Sequence, residues 1–312
     1  MKKKFSIVIT YYPPEKKAEV LDSIKKLDYP KSKYEILDLP GKGSPSIYRN
    51  KGAEKAKGEI IVFIDDDAIA NKDLLKNAEN FFKEHPEIDI VGGPQLSPKD
   101  EKGFAKISGY TLSSKFGSWE ASNRYGGKKL NLYADENYLT TAIMFCKKSI
   151  FKSVKFDEKI FPGEDSKFVM DVEKQGLRIA YSPELIVYHK RRKNMKEFLK
   201  QVFNYGKVLS SRKSFSDLLT KPFFILPSIF LIYCVELLFL SFMNFIFNKT
   251  SNSIIFIPLI AYLSLNIIFS FYESIKNKNI FSFMFLPFIF LFLHLSYGFG
   301  VIIGYIGKLF KN

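Results

Sequence analysis

Asp65, Asp66 and Asp67 are three consecutive carboxylates that follow directly on the apolar run Ile-Ile-Val-Phe-Ile at residues 60–64. Adjacent carboxylates repel one another unless a cation or hydrogen-bond donors compensate. Such a cluster suits a hard divalent ion, Mg2+ or Mn2+, which takes oxygen ligands and keeps positions open for substrate phosphates. The plain alternative is a polar strand end followed by a helix N-cap at Asp67 or Asn71. A second acidic pair, Glu164-Asp165, follows Pro162-Gly163 at the start of a helical pattern. A carboxylate there can take a proton from an attacking hydroxyl, or it can simply complement the positive end of a helix dipole. His189 at a strand end either supports phosphate or is an ordinary hydrogen-bonded histidine. Arg191 and Arg192 suit phosphate binding or a charged surface. Trp119, the single tryptophan, either stacks on a ligand or packs as an ordinary aromatic.

These groups need a frame. The run at 60–64 is apolar at every position, which predicts a strand buried on both faces, as in a parallel sheet. Ligands bind at the strand ends of open α/β sheets. Residues 5–10 and 34–39 read as strands, and 15–27 and 47–56 as helices. This alternation implies right-handed crossovers. A helix over 72–84 and a strand over 88–92 follow. Residues 94–131 show no period and read as a long connection. A helix over 166–175 ends at Gly176 in the C′ position, with short strands over 177–181 and 185–189.

The chain of 312 residues carries a net charge of +15 and 32 Phe, and its hydrophobic share is 46%. Membrane surface or anionic substrate accounts for that charge; no nucleic-acid motif accompanies it, so no nucleic-acid partner is expected. Cys146 and Cys234 show neither metal nor redox spacing. The basic N-terminus runs into Tyr11-Tyr12-Pro13-Pro14 without a cleavage site and is not read as a signal peptide. Segments 222–247, 254–272 and 280–307 each reach the roughly 20 residues that cross a bilayer, and the last offers Pro287 and Gly298 as break points. Glu236 in the first is costly in lipid and is expected to face protein or water. Basic residues ahead of the first segment place the preceding domain in the cytoplasm, integral to the cell membrane. With three spans, Lys308 and Lys311 fall outside, against the same tendency. Residues 194–211 are basic and amphipathic, as in a helix lying in the lipid interface or packed on a soluble domain. The domains expected are therefore 1–193 catalytic, 194–221 amphipathic helix and linker, and 222–312 membrane region.

In this order and spacing the residues resemble glycosyltransferase family 2, the inverting nucleotide-sugar transferases of GT-A fold. The stretches that carry it are Ser6 to Tyr12, Tyr34 to Asp38, Tyr48-Arg49-Asn50 with Lys57-Gly58-Glu59, Phe63-Ile64-Asp65-Asp66-Asp67, Gly163-Glu164-Asp165, and Val187-Tyr188-His189 with Gln201 and Tyr205-Gly206. His294, Tyr297-Gly298, Gly300 and Gly304 resemble a last-span pattern of membrane-attached members. The resemblance implies an α/β GT-A domain, Rossmann-like with a mostly parallel sheet, followed by a C-terminal transmembrane helical region. It implies that Thr10, Tyr11, Tyr12, Asp38, Arg49, Asn50, Asp65, Asp66 and His189 bind the nucleotide sugar. Asp65 and Asp67 would hold the divalent metal, and Asp165 would be the general base, with Glu164 beside it. The turn after the second strand carries only Asp38 as an acid, which leaves the nucleotide, UDP, GDP or dTDP, open.

The expected activity is transfer of a sugar from a nucleotide-diphosphate sugar to a lipid-linked or polysaccharide acceptor at the cytoplasmic face. Alternatives are a polyprenyl-phosphate monoglycosyl transferase and a processive synthase; no Gln-x-x-Arg-Trp follows Gln201, which favours non-processive transfer. A membrane-anchored nucleotide-sugar-binding scaffold is the non-enzymatic alternative, and the intact Asp65, Asp67 and Asp165 argue against it.

Overall fold

The computed structural model describes residues 3–11, 18–127, 129–214, 217–218, 221–247 and 253–310. In chain order its elements are β1 (Phe5–Tyr11), α1 (Ala18–Lys25), β2 (Tyr34–Pro40), α2 (Pro45–Lys55), β3 (Ile60–Asp65), β4 (Ala68–Ala70), α3 (Leu74–Glu84), β5 (Ile90–Gly92) and β6 (Gln95–Leu96), then α4 (Gly103–Ser113), α5 (Lys115–Ser118), β7 (Ile143–Lys147), α6 (Glu164–Lys174), β8 (Ile179–Tyr181), β9 (Val187–His189) and α7 (Met195–Lys207). Three long apolar helices follow, Leu226–Ile246, Ile257–Lys276 and Leu286–Leu309. The chain divides into two units, residues 1–101 with 120–191, and residues 102–119 with 192–312.

The first unit is built on a six-stranded sheet of order β2-β1-β3-β7-β5-β8. Only β7 runs antiparallel to its neighbours, so the expected mostly parallel sheet is present with one reversed strand. Strand alternation sends side chains to two separate cores. Ile7, Ile9, Val62 and Ile64 pack on one face with α1 and α3 through Ile24, Leu74 and Ala78. Val8, Ile61 and Phe63 pack on the other with Phe168 and Val172 of α6. Each such side chain contributes about 1.5–3 kcal/mol on burial, and burial from both sides is why β3 has no polar alternation. A small second sheet, β4-β9-β6, carries His189.

The turn into β3 is clipped to β1 and β2. Ser6 Oγ accepts from the Gly58 amide at 2.8 Å and donates to Glu35 at 2.6 Å. A Cβ on Gly58 would lie 2.6 Å from the Phe5 carbonyl carbon. Gly58→Ala is expected to destabilise the fold by about 1–3 kcal/mol through this overpacking, read as a lowered thermal midpoint of the purified chain.

One expectation is corrected in a stretch that both units share. Residues 94–131 are not an irregular connection: they include β6, α4, α5 and a 3-10 stretch, Trp119–Tyr125. Helix α4 shows no period because more than one side of it is covered. Phe104 meets Phe198 of α7 edge-on at 5.8 Å, and Tyr110 packs on Leu286 and Phe290 of the third apolar helix. Phe116 is enclosed by Tyr262, Phe269, Phe290 and His294. The His294 ring explains its place in an apolar helix: Nε2 donates to the Phe116 carbonyl and Nδ1 accepts from the Tyr262 hydroxyl, both at 2.9 Å. Trp119 stacks on Phe223 at 5.5 Å.

Helix α7 starts at Asn194, whose side chain accepts from the Glu197 amide at 3.0 Å, a typical N-cap. Its apolar face lies on the third apolar helix. Added Cβ atoms on Gly206, Gly300 and Gly304 would run into the Tyr297, Phe203 and Lys207 carbonyl oxygens of the facing helix, so small residues set this close approach, as they do between membrane helices. The third helix runs unbroken through Gly298, and Pro287 sits in its first turn, where its missing N–H costs nothing. Glu236, expected to face protein or water, is on the exposed side of the first apolar helix.

Candidate active site

The site is assembled at the end of β3. Thr10 of β1 pairs with Asp65 of β3, so the two strand ends lie side by side. The chain then turns through Asp66 and Asp67 into β4, and β4 pairs antiparallel with β9 in the register Ala68 to His189. That register puts His189 Nε2 at 3.0 Å from Asp67 Oδ1, while its Nδ1 lies 3.1 Å from the Lys190 carbonyl. One ligand atom from each of Asp65, Asp67 and His189 falls within 4.8 Å of the others. Two carboxylates and an imidazole whose far nitrogen donates to a backbone carbonyl are a fitting donor set for a divalent ion.

Arg49 joins this cluster to the second acidic pair. Its guanidinium donates to Asp65 Oδ1 at 3.1 Å and to Glu164 Oε1 at 2.7 Å, and it lies 5.7 Å from the centroid of the Phe156 ring. Both Arg49 and Glu164 are 5% exposed. Burial pulls the Arg49 pKa down, but Asp65 and Glu164 outweigh that and hold the guanidinium charged. Burial raises the Asp65 carboxyl above its usual range, and Asp67 and Asp165 add to the rise against the pull of Arg49 and His189. Burial and the neighbouring Asp165 likewise raise Glu164, against Arg49.

Asp165 stands beside Glu164 in the first turn of α6, behind Gly163 at φ 101°. Its Oδ1 accepts from the Ser166 amide at 2.7 Å, so the acidic-first-turn reading is true of its position. Arg124 holds this helix start: it donates to Ser166 Oγ at 3.4 Å and to the carbonyls of Glu136 and Asn137. No sequence signal marked Arg124, which falls in the stretch without period.

The other candidates are spread. Asn50 is 6% exposed and forms a two-way clip with the Phe156 backbone, both bonds 2.9 Å, plus one to Glu158 at 3.0 Å. Tyr11 is buried at the end of β1. Asp38 lies within edge strand β2, in register with Ile9. Asp66 is half-buried in the turn between β3 and β4. Tyr12 lies outside the described residues. Arg191 is buried, with its guanidinium 4.7 Å from the Tyr125 ring and bonded to Ser97 and the Gln95 carbonyl, whereas Arg192 is exposed. Asn50→Ala is expected to cost about 1–3 kcal/mol, because the Phe156 amide and carbonyl lose their partner in a buried place; a thermal melt reads it.

Comparison with known proteins gives the family. Residues 4–204 match the family described as glycosyltransferase-like family 2. A Methanococcus voltae protein, dolichyl N-acetyl-alpha-D-glucosaminyl phosphate 3-beta-D-2,3-diacetamido-2,3-dideoxy-beta-D-glucuronosyltransferase, is 26% identical over 256 residues, which cover 69% of this chain and 76% of that protein. The minor teichoic acid biosynthesis protein GgaB of Bacillus subtilis is 32% identical over 130 residues, 41% of this chain; the chain spans only 13% of that longer protein. In fold, the chain is similar over 100% of its length to 75% of the mannosyltransferase PcManGT from Pyrobaculum calidifontis, solved with GDP-Man and Mn2+, with a TM-score of 0.50 and 14% identity. On the match across residues 4–204 and a sheet of this order, the chain belongs to glycosyltransferase-like family 2 and is a glycosyltransferase.

Proposed function

We propose that the chain transfers a sugar, with inversion, from a nucleoside-diphosphate sugar to a lipid-linked or glycan acceptor at the cytoplasmic face of a membrane. The observation that carries this reading is the linked constellation of Asp65, Asp67 and His189, with Arg49 bridging to the helix start that bears Asp165. The dolichyl-phosphate substrate in the name of the Methanococcus relative supports a lipid-linked acceptor, and the three apolar helices support membrane attachment.

Asp65, Asp67 and His189 would hold Mg2+ or Mn2+, which when bound neutralises charge gathering on the leaving diphosphate. Thr10 and Tyr11 at the end of β1, with Asp38 on β2, line the approach for the nucleotide. Asp165 takes the proton from the acceptor hydroxyl as its oxygen attacks the anomeric carbon. Glu164 remains on Arg49 and fixes the first turn of α6, so the base sits on a rigid element. Arg49 keeps Asp65 and Glu164 from repelling each other.

The test is thermal stabilisation of detergent-purified protein by a panel of nucleoside diphosphates and nucleotide sugars, with and without Mn2+. A ligand of the folded state raises the melting temperature by mass action. A shift with one nucleotide, seen only with metal, is the expected outcome and identifies the donor class. No shift with any of them overturns the reading.

A further inference from the structure

His189 brings the nitrogen to the group of Asp65, Asp67 and His189, and it does so from the last position of a short strand. Strand β9 has three residues, and its neighbours β4 and β6 have three and two. Pairing with β6 ends at Tyr188, one residue short of His189, so within the ladder His189 is paired on the β4 side alone. The ends of so small a sheet open at little cost, whereas ligand distances in a metal site hold to about 0.2 Å. A strand end by itself is a loose mount for a metal ligand.

We propose that Arg191 is a positioning residue: it fixes the chain just after β9, so that His189 presents Nε2 to the ion held by Asp65 and Asp67. This role rests on the metal centre proposed above.

Arg191 is 8% exposed and is held from several sides. Its guanidinium donates to the Gln95 carbonyl and, through Nε, to Ser97 Oγ at 3.3 Å. The same group lies over the Tyr125 ring, 4.7 Å from the centroid. Its backbone N–H donates to Glu101 Oε1 at 2.7 Å. Gln95 belongs to β6 and stands in register with Val187 of β9. The bond from Arg191 to the Gln95 carbonyl therefore carries the contact between β6 and β9 past the point where the two strands stop pairing. Gln95 is itself anchored: its side-chain amide donates to Thr140 Oγ1 at 3.3 Å, and Thr140 Oγ1 accepts from the Ala142 amide just ahead of β7, also at 3.3 Å.

Lys190 stands between the two residues. Its carbonyl lies 3.1 Å from His189 Nδ1, so the group that orients the imidazole belongs to the residue directly before Arg191. The Lys190 side chain meets both carboxylate oxygens of Glu19 in α1, at 2.6 and 2.7 Å. That pair is about half exposed on both sides, and exposed ion pairs contribute little. The buried contacts of Arg191 are the ones able to hold the Lys190 carbonyl in place.

Arginine suits this place by shape. A planar guanidinium lies flat on an aromatic ring while its edge donates to a carbonyl and a hydroxyl, which the point charge of lysine does not reproduce. Its donors are directed at Gln95 and Ser97 inside the domain, unlike those of a surface cation. Arg192, one residue on, is exposed.

The test reads metal affinity without turnover. Free aquated Mn2+ is counted by electron paramagnetic resonance while detergent-purified chain is titrated. Arg191→Gln is expected to weaken Mn2+ binding by about 10-fold or more, the range for residues that orient a ligand from behind, with Arg191→Lys between it and the parent. Tyr125→Leu keeps the hydrogen bonds and removes the stack, and is expected to weaken binding by less. In a His189→Ala background, Arg191→Gln is expected to change affinity by no more than about two-fold, because its effect passes through the missing ring. Parental Mn2+ affinity in Arg191→Gln overturns the role, even with a lowered melting midpoint, and leaves Arg191 as a fastener of the fold alone. An undiminished effect in the His189→Ala background also overturns it. Both outcomes leave the metal centre standing. A parent chain that binds no Mn2+ overturns the centre, and the positioning role with it. If Arg191→Gln does not accumulate as folded protein, Tyr125→Leu and Ser97→Ala carry the same titration and the same cycle, and parental affinity in both overturns the proposal.

Discussion

Asp165→Asn is expected to lower kcat by about two to four orders of magnitude, the usual contribution of a positioned general base, while nucleotide binding and thermal stability stay near those of the parent. The substitution removes the proton acceptor and keeps nearly the same shape. Its side-chain oxygen can still accept from the Ser166 amide, the 2.7 Å bond that orients Asp165 in the parent chain. The helix start is also held independently by Arg124 and by the bond from Arg49 to Glu164. A radiolabelled-donor assay on the membrane-bound chain gives the rate, and a melting shift with nucleoside diphosphate gives binding. A near-parental kcat removes Asp165 from the role of base. Loss of binding together with activity makes it a donor-site residue instead.

Arg49→Met is expected to be the most destabilising single change in the site, by about 3–5 kcal/mol, the range for removing one partner of a buried ion pair. The guanidinium is almost fully buried and serves two carboxylates on different elements, Asp65 of β3 and Glu164 of α6. Without it, two acids that are already raised by burial face each other with no fixed cation between them. Arg49→Lys keeps the charge but has no planar fork for two acceptors, and falls between the parent and Arg49→Met. The double variant with Glu164→Gln isolates the pair, because removing the buried charge first takes away most of what Arg49 compensates. The combined loss should be clearly less than the sum of the two single losses. Additive losses in a thermal or denaturant melt sink the bridging role. Saturating Mn2+ is expected to restore part of the midpoint of Arg49→Met, since a cation on Asp65 and Asp67 relieves the same repulsion.

Much of the frame was legible because strands and apolar helices declare themselves locally. The unbroken apolar run of β3, the helical spacing over α1 and α3 and the Gly176 cap, at φ 72°, each depend on neighbours a few residues away. The membrane-length helices needed only composition. Asp65 and Asp67 at a strand end, and Glu164-Asp165 at a helix start, were visible for the same reason. Helix α4 was not, because a helix covered on several sides has no polar face to set a period.

What the amino-acid order by itself determined is therefore the elements, the acids at their ends and the presence of three apolar helices of membrane-crossing length. The tertiary structure alone decided which of these meet. His189 joins Asp67 only through the antiparallel register of β9 on β4, a pairing between stretches far apart in the chain that no local pattern encodes. Arg49 and Asn50 are adjacent on α2, yet one faces the acids and the other clips the Phe156 loop, because the buried side of α2 meets two different neighbours. In the same way, length and hydropathy count three possible spans, while packing against α4 and α7 buries one face of the third helix and leaves the first two largely exposed. Hydropathy sums over the residues of a segment, and only packing reveals which sides of it are already covered.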